Sequence, residues 1–389
     1  GLAANTRFDA LYTDTTAQLI VTPVSFGTLG TNSGWNSNTR ATANALDSLR
    51  GNAANGGLFN SLYGLDAAGY ERAFSQISGQ IYADALQGYA SAANTALGTV
   101  RDQLNQGGYV GARGEQGVQL WTRYINSHEA PGDSARGNGN SATTRGFIAG
   151  ATLVNTPRLR FGVAGGYTHT RINTGLGAEA SGTGAVGYFY GRYAPAAFVD
   201  LSAIGGFASG TMNTSRTIAT ARETVRASGN ARVTVAQLAV DARLRAVQAG
   251  GFAAYALAGV QLGNASSGQV SETASNSAFA LTLPHSGWNT LDSRIGGQVV
   301  QTFASARLSA YGTWLTQLGD APTASRKAVL DGAAWTVQST GLARNGVSYG
   351  AAASANLARN LSIQASYDGV DRGKSYRNHR ISAGVSFAF

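Results

Sequence analysis

The chain has 389 residues, of which 13% are charged and 43% are hydrophobic, and its formal net charge is +9. It contains no cysteine, which excludes disulfides and thiolate metal sites. About 25% of the residues in an ordinary soluble domain are charged, so this chain is poor in charge. It nevertheless lacks the roughly 18 continuous apolar residues that a transmembrane helix needs. Its arginines are scattered singly rather than clustered, which argues against nucleic-acid binding.

The N-terminal part of the sequence is polar at first and then helical. Residues 1–40 are rich in turns, with one strand-like run at 17–26. No cleavable signal peptide is recognisable, so we expect a longer precursor upstream of Gly1. Across 41–107, apolar residues return every three or four positions, as at Tyr70, Phe74 and Ile77, which is the period of a helix. The glycines of 107–114 predict the end of this helical region.

From Gln116 onward the apolar residues recur at every second position, which predicts β-strands. In 361–368, for example, Leu361, Ile363 and Tyr367 alternate with small or polar residues. Twelve segments follow this pattern: 117–127, 143–156, 158–172, 181–194, 197–213, 229–247, 251–268, 286–302, 305–319, 344–357, 360–371 and 376–389. Their connections alternate between very short and long, which predicts an up-and-down barrel with one tight rim and one rim of long loops.

A membrane barrel explains these strands better than a soluble sheet does. Most segments exceed the five or six residues of soluble strands, whereas a tilted membrane strand needs about 9–11. Asp241, Arg243 and Arg245 share one face in mid-segment, where a dry core would leave costly unpaired charges and a watery lumen would not. Lipid offers the backbone no hydrogen bonds, so the last strand must pair with the first. Some of six aromatic residues within the strands should form belts at the lipid interfaces: Tyr167, Tyr188, Tyr190, Tyr255, Trp314 and Tyr367.

The ending Ser382-x-Gly384-x-x-Phe387-x-Phe389 resembles the terminal signal of bacterial outer-membrane barrels. The helical run QISGQIYADAL (76–86), the segment LWTRYI (120–125) and the late strands within 341–369 resemble the translocator domain of classical autotransporters, which perform type V secretion. The resemblance covers about 41–389. It implies an all-β fold: a 12-stranded antiparallel up-and-down transmembrane β-barrel with an N-terminal α-helical linker in the pore.

The resemblance also implies three regions. Residues 1–40 are expected to be the C-terminal remnant of a passenger domain, and 109–389 the translocator barrel. Residues 41–108 are the helical linker, whose end from about 90 plugs the pore and whose part 41–67 lies outside or below it. The pore helix and the lumen are expected to meet through polar residues: Arg101, Asp102 and Gln103 on the helix, and Arg192, Asp241, Arg243 and Arg245 on the lumen wall.

Partners and location follow from the same resemblance. The expected partners are the chain's own passenger domain, outer-membrane lipids and lipopolysaccharide, periplasmic chaperones, and the barrel-assembly machinery. The machinery would read the terminal signal, which consists of Ser382, Gly384, Phe387 and Phe389. We expect a monomer in the outer membrane of a Gram-negative bacterium, with the passenger at the cell surface and with no cofactor, nucleic acid or enzymatic activity of its own. No Asn-Asn pair occurs in 88–115, so we expect no self-cleavage there.

Other motifs give no catalytic, cofactor or metal site. Gly182, Gly184 and Gly187 match a dinucleotide fingerprint, but a strand rather than a helix follows them, so they are interpreted as lumenal or strand-packing glycines. None of the four histidines pairs with another at metal-ligand spacing. The alternative function is a stand-alone outer-membrane channel or an adhesin with ligand-binding loops. Single-channel conductance separates the two, because a plugged translocator conducts weakly.

Overall fold

The computed structural model describes residues 2–12, 15–106, 117–319, 323–373 and 376–389. Its N-terminal part is a hairpin of β1 (Thr6–Tyr12) and β2 (Ala17–Pro23), followed by helices α1 (Phe26–Asn32), α2 (Ser37–Asp47), α3 (Gly56–Leu62), α4 (Ala67–Ile77) and α5 (Gln80–Gln106). Side-chain oxygens of Ser25, Asn36 and Asp66 cap the first turns of α1, α2 and α4. None of the described helices has the length and hydropathy needed to cross a bilayer. The predicted boundary at 108–109 lies outside the described residues.

The hairpin and the first four helices pack together around aromatic side chains. The rings of Phe26 and Phe74, both fully buried, lie 5.0 Å apart. Arg50 lies 4.2 Å above the Phe26 ring and donates hydrogen bonds to the Asp9 carboxylate of β1. Burial raises the pKa of this carboxyl, but hydrogen bonds, with Arg7 as the strongest donor, hold the pKa below its ordinary value. The Arg50–Asp9 ion pair therefore ties the hairpin to the helices.

Beyond residue 117 the described chain is mostly β-strand. The strands are β3 (Gln119–Pro131), β4 (Asn140–Asn155), β5 (Leu159–Thr174), β6 (Ala178–Ala196), β7 (Val199–Ala219), β8 (Thr224–Ala249), β9 (Phe252–Ser267), β10 (Val270–Ser271), β11 (Thr273–Ala274), β12 (Thr282–Leu283), β13 (Ser286–Thr302), β14 (Ala306–Gln317), β15 (Ser325–Leu330), β16 (Ala333–Gln338), β17 (Asn345–Asn356), β18 (Leu361–Asp371) and β19 (Tyr376–Ala388). Most exceed the length of strands in soluble domains, as the sequence predicts.

Twelve of the described strands close into one antiparallel barrel: β3–β9, β13, β14 and β17–β19. β3 and β19 complete the ring, in a register that runs from Gln119 opposite Ala388 to Pro131 opposite Tyr376. The short strands of the loops do not interrupt the barrel, because β9 pairs directly with β13 and β14 with β17. The predicted 12-stranded up-and-down barrel is thus confirmed. β7 and β8 extend several residues further toward the loops than the sequence pattern indicates.

The two rims of the barrel differ in the length of their connections. Short turns at 156–158, 197–198, 250–251, 303–305 and 357–360 share one end with the start of β3 and the end of β19, and we call this end the tight rim. The long connections 132–139, 268–285 and 318–344 share the other end, the loop rim. There β10, β12, β15 and β16 form a small sheet. In outer-membrane barrels short turns face the periplasm and long loops face the exterior.

The strands present apolar side chains outward and polar side chains inward. In β19, Ile381, Val385 and Phe387 are exposed, whereas Ser382 and Ser386 are buried. This is the pattern that lipid outside and water inside require. Of the six aromatic residues of which some are expected to form interface belts, three face outward and three face the lumen. The outward set is Tyr167, Trp314 and Tyr367, and the inward set is Tyr188, Tyr190 and Tyr255.

Candidate functional site: the helix inside the barrel

Helix α5 runs through the lumen from the loop rim to the tight rim. At its first residue, the Gln80 side chain donates a 2.6 Å hydrogen bond to the carbonyl of Asn138, which lies in the long β3–β4 loop. Near its last residue, the Leu104 carbonyl accepts a 3.5 Å hydrogen bond from Arg160, which lies at the start of β5 beside the tight rim. The 27 residues of α5 extend about 40 Å, which is more than the hydrocarbon thickness of a bilayer.

One side of α5 is apolar and packs on the wall formed by β4–β7. We call this the packed side; it consists of Leu86, Tyr89, Ala93, Leu97 and Val100, all of which are buried. Burying side chains of the size of Leu or Tyr contributes about 1.5–3 kcal/mol each, less the entropy of ordering them. The packed side therefore supplies most of the apolar contact between the helix and the barrel.

Glycines in the barrel wall create the space that the packed side fills. A Cβ atom added at Gly184 would lie 1.7 Å from the Tyr89 hydroxyl oxygen, and one at Gly210 would lie 2.7 Å from it. On the helix, a Cβ at Gly88 would lie 2.5 Å from Cδ1 of Ile172 on β5. Gly184 belongs to the motif interpreted as lumenal or strand-packing glycines, and the structure shows that its lack of a side chain accommodates Tyr89.

The opposite side of α5 is polar, and Arg380 of β19 makes the largest set of contacts with it. Its guanidinium donates hydrogen bonds to the carbonyl of Thr95 at 3.0 Å and to the Asp102 carboxylate at 2.6 Å. The same guanidinium binds Asp368 of β18 at 2.7 Å. A Cβ at Gly98 would lie 2.6 Å from Nη1 of Arg380, so the guanidinium would have to shift to make room for a larger residue there. We call Asp102, Arg380 and Asp368 the central ion triad.

A second set of contacts joins the polar side to β8, β9 and β13. Arg101 donates a 3.0 Å hydrogen bond to the Asp241 carboxylate and a 3.2 Å hydrogen bond to the Gln261 side chain. Arg294 binds the other oxygen of Asp241 at 2.6 Å. Asn94, two turns earlier, accepts a 2.8 Å hydrogen bond from Gln261. These pairings bind the helix on the flank opposite to the central ion triad.

A third contact is fully buried and lies against the end of the chain. Arg123 of β3 is 0% exposed and donates hydrogen bonds to Gln103 at 3.3 Å, to Gln364, and to the Ser382 hydroxyl at 3.4 Å. A Cβ at Gly384 would lie 2.6 Å from Cγ of Arg123. Ser382 and Gly384 of the terminal motif thus face the lumen, where their small size admits this arginine. Phe387 and Phe389 of the same motif face outward.

The four lumen residues singled out from the sequence take different roles. Asp241 contacts α5 through Arg101. Arg192 and Arg243 bind Asp200 on β7 instead of the helix, each through a 3.0 Å hydrogen bond from Nε. Arg245 lies near the tight rim, where it donates a hydrogen bond to Gln248. The hydrogen bonds of Arg192, Arg243 and Arg245 therefore run to other residues of the barrel wall, and their role as lumen-facing residues that meet the helix stays a prediction.

The sequence pattern does not single out Arg380 and Arg123 as contacts of the helix, or Asp368 and Arg294 as the partners of Arg380 and Asp241. The two-residue period places each of them on the polar face of its strand, and that signal identifies lumen residues. It does not tell which lumen residues lie at the height and angle of a given helical turn. Among the described residues, no cluster of three or more His, Asp or Glu side chains could hold a metal ion.

The chain matches one protein family and is similar to several solved structures. The family model of the autotransporter β-domain matches residues 120–368. The translocator domain of the autotransporter NalP from Neisseria meningitidis has a similar fold, with a TM-score of 0.63, 15% sequence identity, and coverage of 80% of this chain and 100% of that one. The β-domain of the Bordetella autotransporter BrkA aligns with a TM-score of 0.46, 15% identity, and coverage of 70% and 100%. No curated protein matches the sequence.

Proposed function

The chain belongs to the autotransporter β-domain family, so its barrel is a translocator domain of the Gram-negative outer membrane, and we propose that it carries its own N-terminal passenger to the cell surface. The barrel is not itself a catalyst, and any enzymatic activity would belong to the passenger. In this proposal the passenger crosses the membrane while the barrel assembles, and α5 is the last segment of the exported chain to come to rest in the lumen.

The direction of α5 carries this proposal. The N-terminal end of the helix is at the loop rim and its C-terminal end is at the tight rim. The described residues upstream of Gln80 therefore lie on the loop side: Asn38 of α2 accepts a hydrogen bond from the backbone of Gln338 in the long β14–β17 connection, and Ser61 of α3 binds Glu223 between β7 and β8. Any chain upstream of β1 would therefore lie outside the cell.

We propose the same three regions that the sequence suggests, but side-chain packing joins the first region to the start of the second. The boundary between passenger remnant and linker, at residues 40 and 41, falls inside α2. Phe26, before that boundary, packs on Phe74, after it. The end of the passenger and the start of the linker would therefore fold as one unit on the loop rim, and only α5 would plug the pore.

Surface exposure of the N-terminus tests the proposal. An epitope placed before Leu2 should bind antibody on intact cells, because the chain upstream of α5 lies on the loop side. The same epitope inserted in the tight turn at 250–251 should bind antibody only after the outer membrane is permeabilised. An N-terminal epitope that stays hidden on intact cells, while an epitope in the 318–344 connection is accessible, would refute export of the upstream chain.

We also propose that Phe389 is part of the signal read by the barrel-assembly machinery. Its side chain is 74% exposed and stacks edge-on against Phe387 at 4.8 Å, so it is available to a partner before it meets lipid. Deleting Phe389 should lower the amount of barrel in the outer membrane. Replacing Phe303, an exposed aromatic residue in the tight turn at 303–305, by alanine is the control for loss of an exposed aromatic side chain and should have little effect. Equal amounts of both variants in the outer membrane would contradict the proposal that Phe389 is part of the signal.

A further inference from the structure

Three cavities follow the polar side of α5 from the loop rim toward the tight rim. Their volumes are about 230, 80 and 360 Å³ in that order. The upper and middle cavities share Arg101 and Tyr311 in their walls, and the middle and lower ones share Asn105 and Arg192. Each is larger than the roughly 10–15 Å³ that one water molecule needs, so the helix leaves a hydrated passage beside it.

The lowest cavity, at the tight rim, is lined by five arginines, and we call it the arginine vestibule. These are Arg160, Arg192, Arg243, Arg245 and Arg307. No carboxylate occurs among its described lining residues. Asp200 lies in the wall of the middle cavity and is already bound by Arg192 and Arg243. Asp200 thus binds two of the five guanidinium groups.

The remaining partners in the vestibule neutralise little of this charge. The Nε atoms of Arg160, Arg245 and Arg307 are buried and make no hydrogen bond within the described residues. Arg243 stacks over the Tyr255 ring at 4.4 Å, an attractive contact that leaves its charge in place. The Leu104 carbonyl at the end of α5 accepts from Arg160, but a helix C-terminus supplies only about half a negative charge.

The upper cavity has a different charge balance. Its wall contains Glu129, Asp292 and Asp368 together with four arginines. The central ion triad and the Arg101–Asp241–Arg294 group pair most of these charges with one another. The passage is therefore close to neutral near the loop rim and strongly positive at the tight rim.

We propose that the passage beside α5 conducts small anions in preference to cations, and that the arginine vestibule is the selectivity element and binds inorganic anions such as chloride and phosphate. A cleft of one sign with low-dielectric walls concentrates counter-ions, and rings of arginine side chains select anions in pores. This inference needs only the barrel and the lumenal helix, so it stands apart from export of a passenger.

The test is the reversal potential of the full chain in planar lipid bilayers that separate two concentrations of KCl. Chloride should be more permeant than potassium, by roughly tenfold. The double variant Arg160→Gln/Arg307→Gln should bring the permeability ratio close to one, because neither arginine pairs with a carboxylate of the described residues. Inorganic phosphate added at the tight-rim side should reduce the chloride current of the unmodified protein and have no such effect on the double variant.

Two further variants separate charge from structure. Arg160→Lys/Arg307→Lys keeps the charge and should keep the anion preference, even if hydrogen bonding changes. Arg145→Gln/Arg171→Gln removes the same charge from exposed outward positions on β4 and β5 and should leave the ratio unchanged. If the glutamine double variant does not fold, Arg307→Gln alone should lower the ratio part of the way. Cation preference, equal effects of the inner and outer variants, or no current through a correctly folded full chain would each overturn the inference.

Discussion

The two sides of α5 are bound to the barrel by different physics. On the packed side, Tyr89 fills a space left by Gly184 and Gly210, so the contact depends on shape and tolerates no added atom. On the polar side, Arg101 and Asp102 reach across a hydrated passage to charged groups of the barrel wall. Apolar packing is non-directional and fixes how close the helix lies to the wall, whereas hydrogen-bonded ion pairs also fix its height and rotation.

This division would suit a segment that enters the lumen during export of the passenger, as we propose, and then stops there. A lumen lined only by apolar side chains would not hold water. A lumen lined only by polar side chains would give the helix no apolar surface against which to pack. In the present barrel, one wall offers glycine and aromatic surface and the other offers charge. Each side of the helix can be tested separately by substitution.

Removing the helix altogether should have the largest effect. A chain that begins at residue 107 should form a barrel with a higher single-channel conductance than the full chain, by about tenfold, because a helix about 10–12 Å across fills most of the bore of a twelve-stranded barrel. Conductance in planar bilayers measures this. Equal conductance of the two chains would show that α5 does not occupy the lumen and would favour a stand-alone channel.

On the polar side, Arg380→Met should destabilise the folded barrel by about 3–5 kcal/mol, because Asp102 and Asp368 stay buried and lose the guanidinium that they share. The matched control is Arg377→Met on the same strand. The Arg377 side chain is 69% exposed and pairs with Asp371 at the surface, so its loss should cost about 0–1 kcal/mol. Urea unfolding in lipid or detergent gives both values. Converting Asp102 and Asp368 to asparagine should restore most of the stability lost in Arg380→Met, and similar losses for the two methionine variants would contradict a buried triad.

On the packed side, Gly184→Ala should cost about 1–3 kcal/mol, because the new methyl group forces Tyr89 to move. Gly165→Ala on the neighbouring strand is the control, since its Cβ would have its nearest contact at an ordinary 3.5 Å. The same unfolding measurement compares them. Adding Tyr89→Phe to Gly184→Ala should recover part of the loss, whereas no difference between the two alanine variants would mean that Tyr89 does not pack at Gly184.

The fold could be predicted because the sequence of each strand is enough to identify it as a strand. The two-residue period identifies a strand and its outward face at the same time, and the backbone's need for partners in lipid forces closure. The additional strands β15 and β16 were not predicted, because they lie within a connection of irregular composition. They form where this connection packs against the N-terminal helices. Trp335 of β16, for example, donates a hydrogen bond to the carbonyl of Ser78. Local pattern contains no information about such long-range contacts.

The helix–barrel contacts were less predictable than the fold. Periodicity places Asp241, Arg243 and Arg380 toward the lumen, but pairing depends on the height of each residue in a tilted strand and on the rotation of the helix. Arg243 pairs within the wall, because Asp200 lies directly opposite it in the β7–β8 register. Arg380 pairs with the helix, because Gly98 opens the approach. Neither partner follows from the sequence of a single strand.

Cross-linking tests most directly the central claim that α5 lies inside the barrel against β5. The chain has no cysteine, and a Cβ at Gly88 would lie 3.3 Å from Cγ1 of Ile172, so Gly88→Cys/Ile172→Cys should form a disulfide. After mild oxidation of the folded protein and subsequent unfolding in urea, both thiols of this pair should resist a maleimide reagent. Both should react in Gly88→Cys/Ala185→Cys, whose second cysteine faces outward. Free thiols in the first variant, in barrels shown to be folded, would contradict the account.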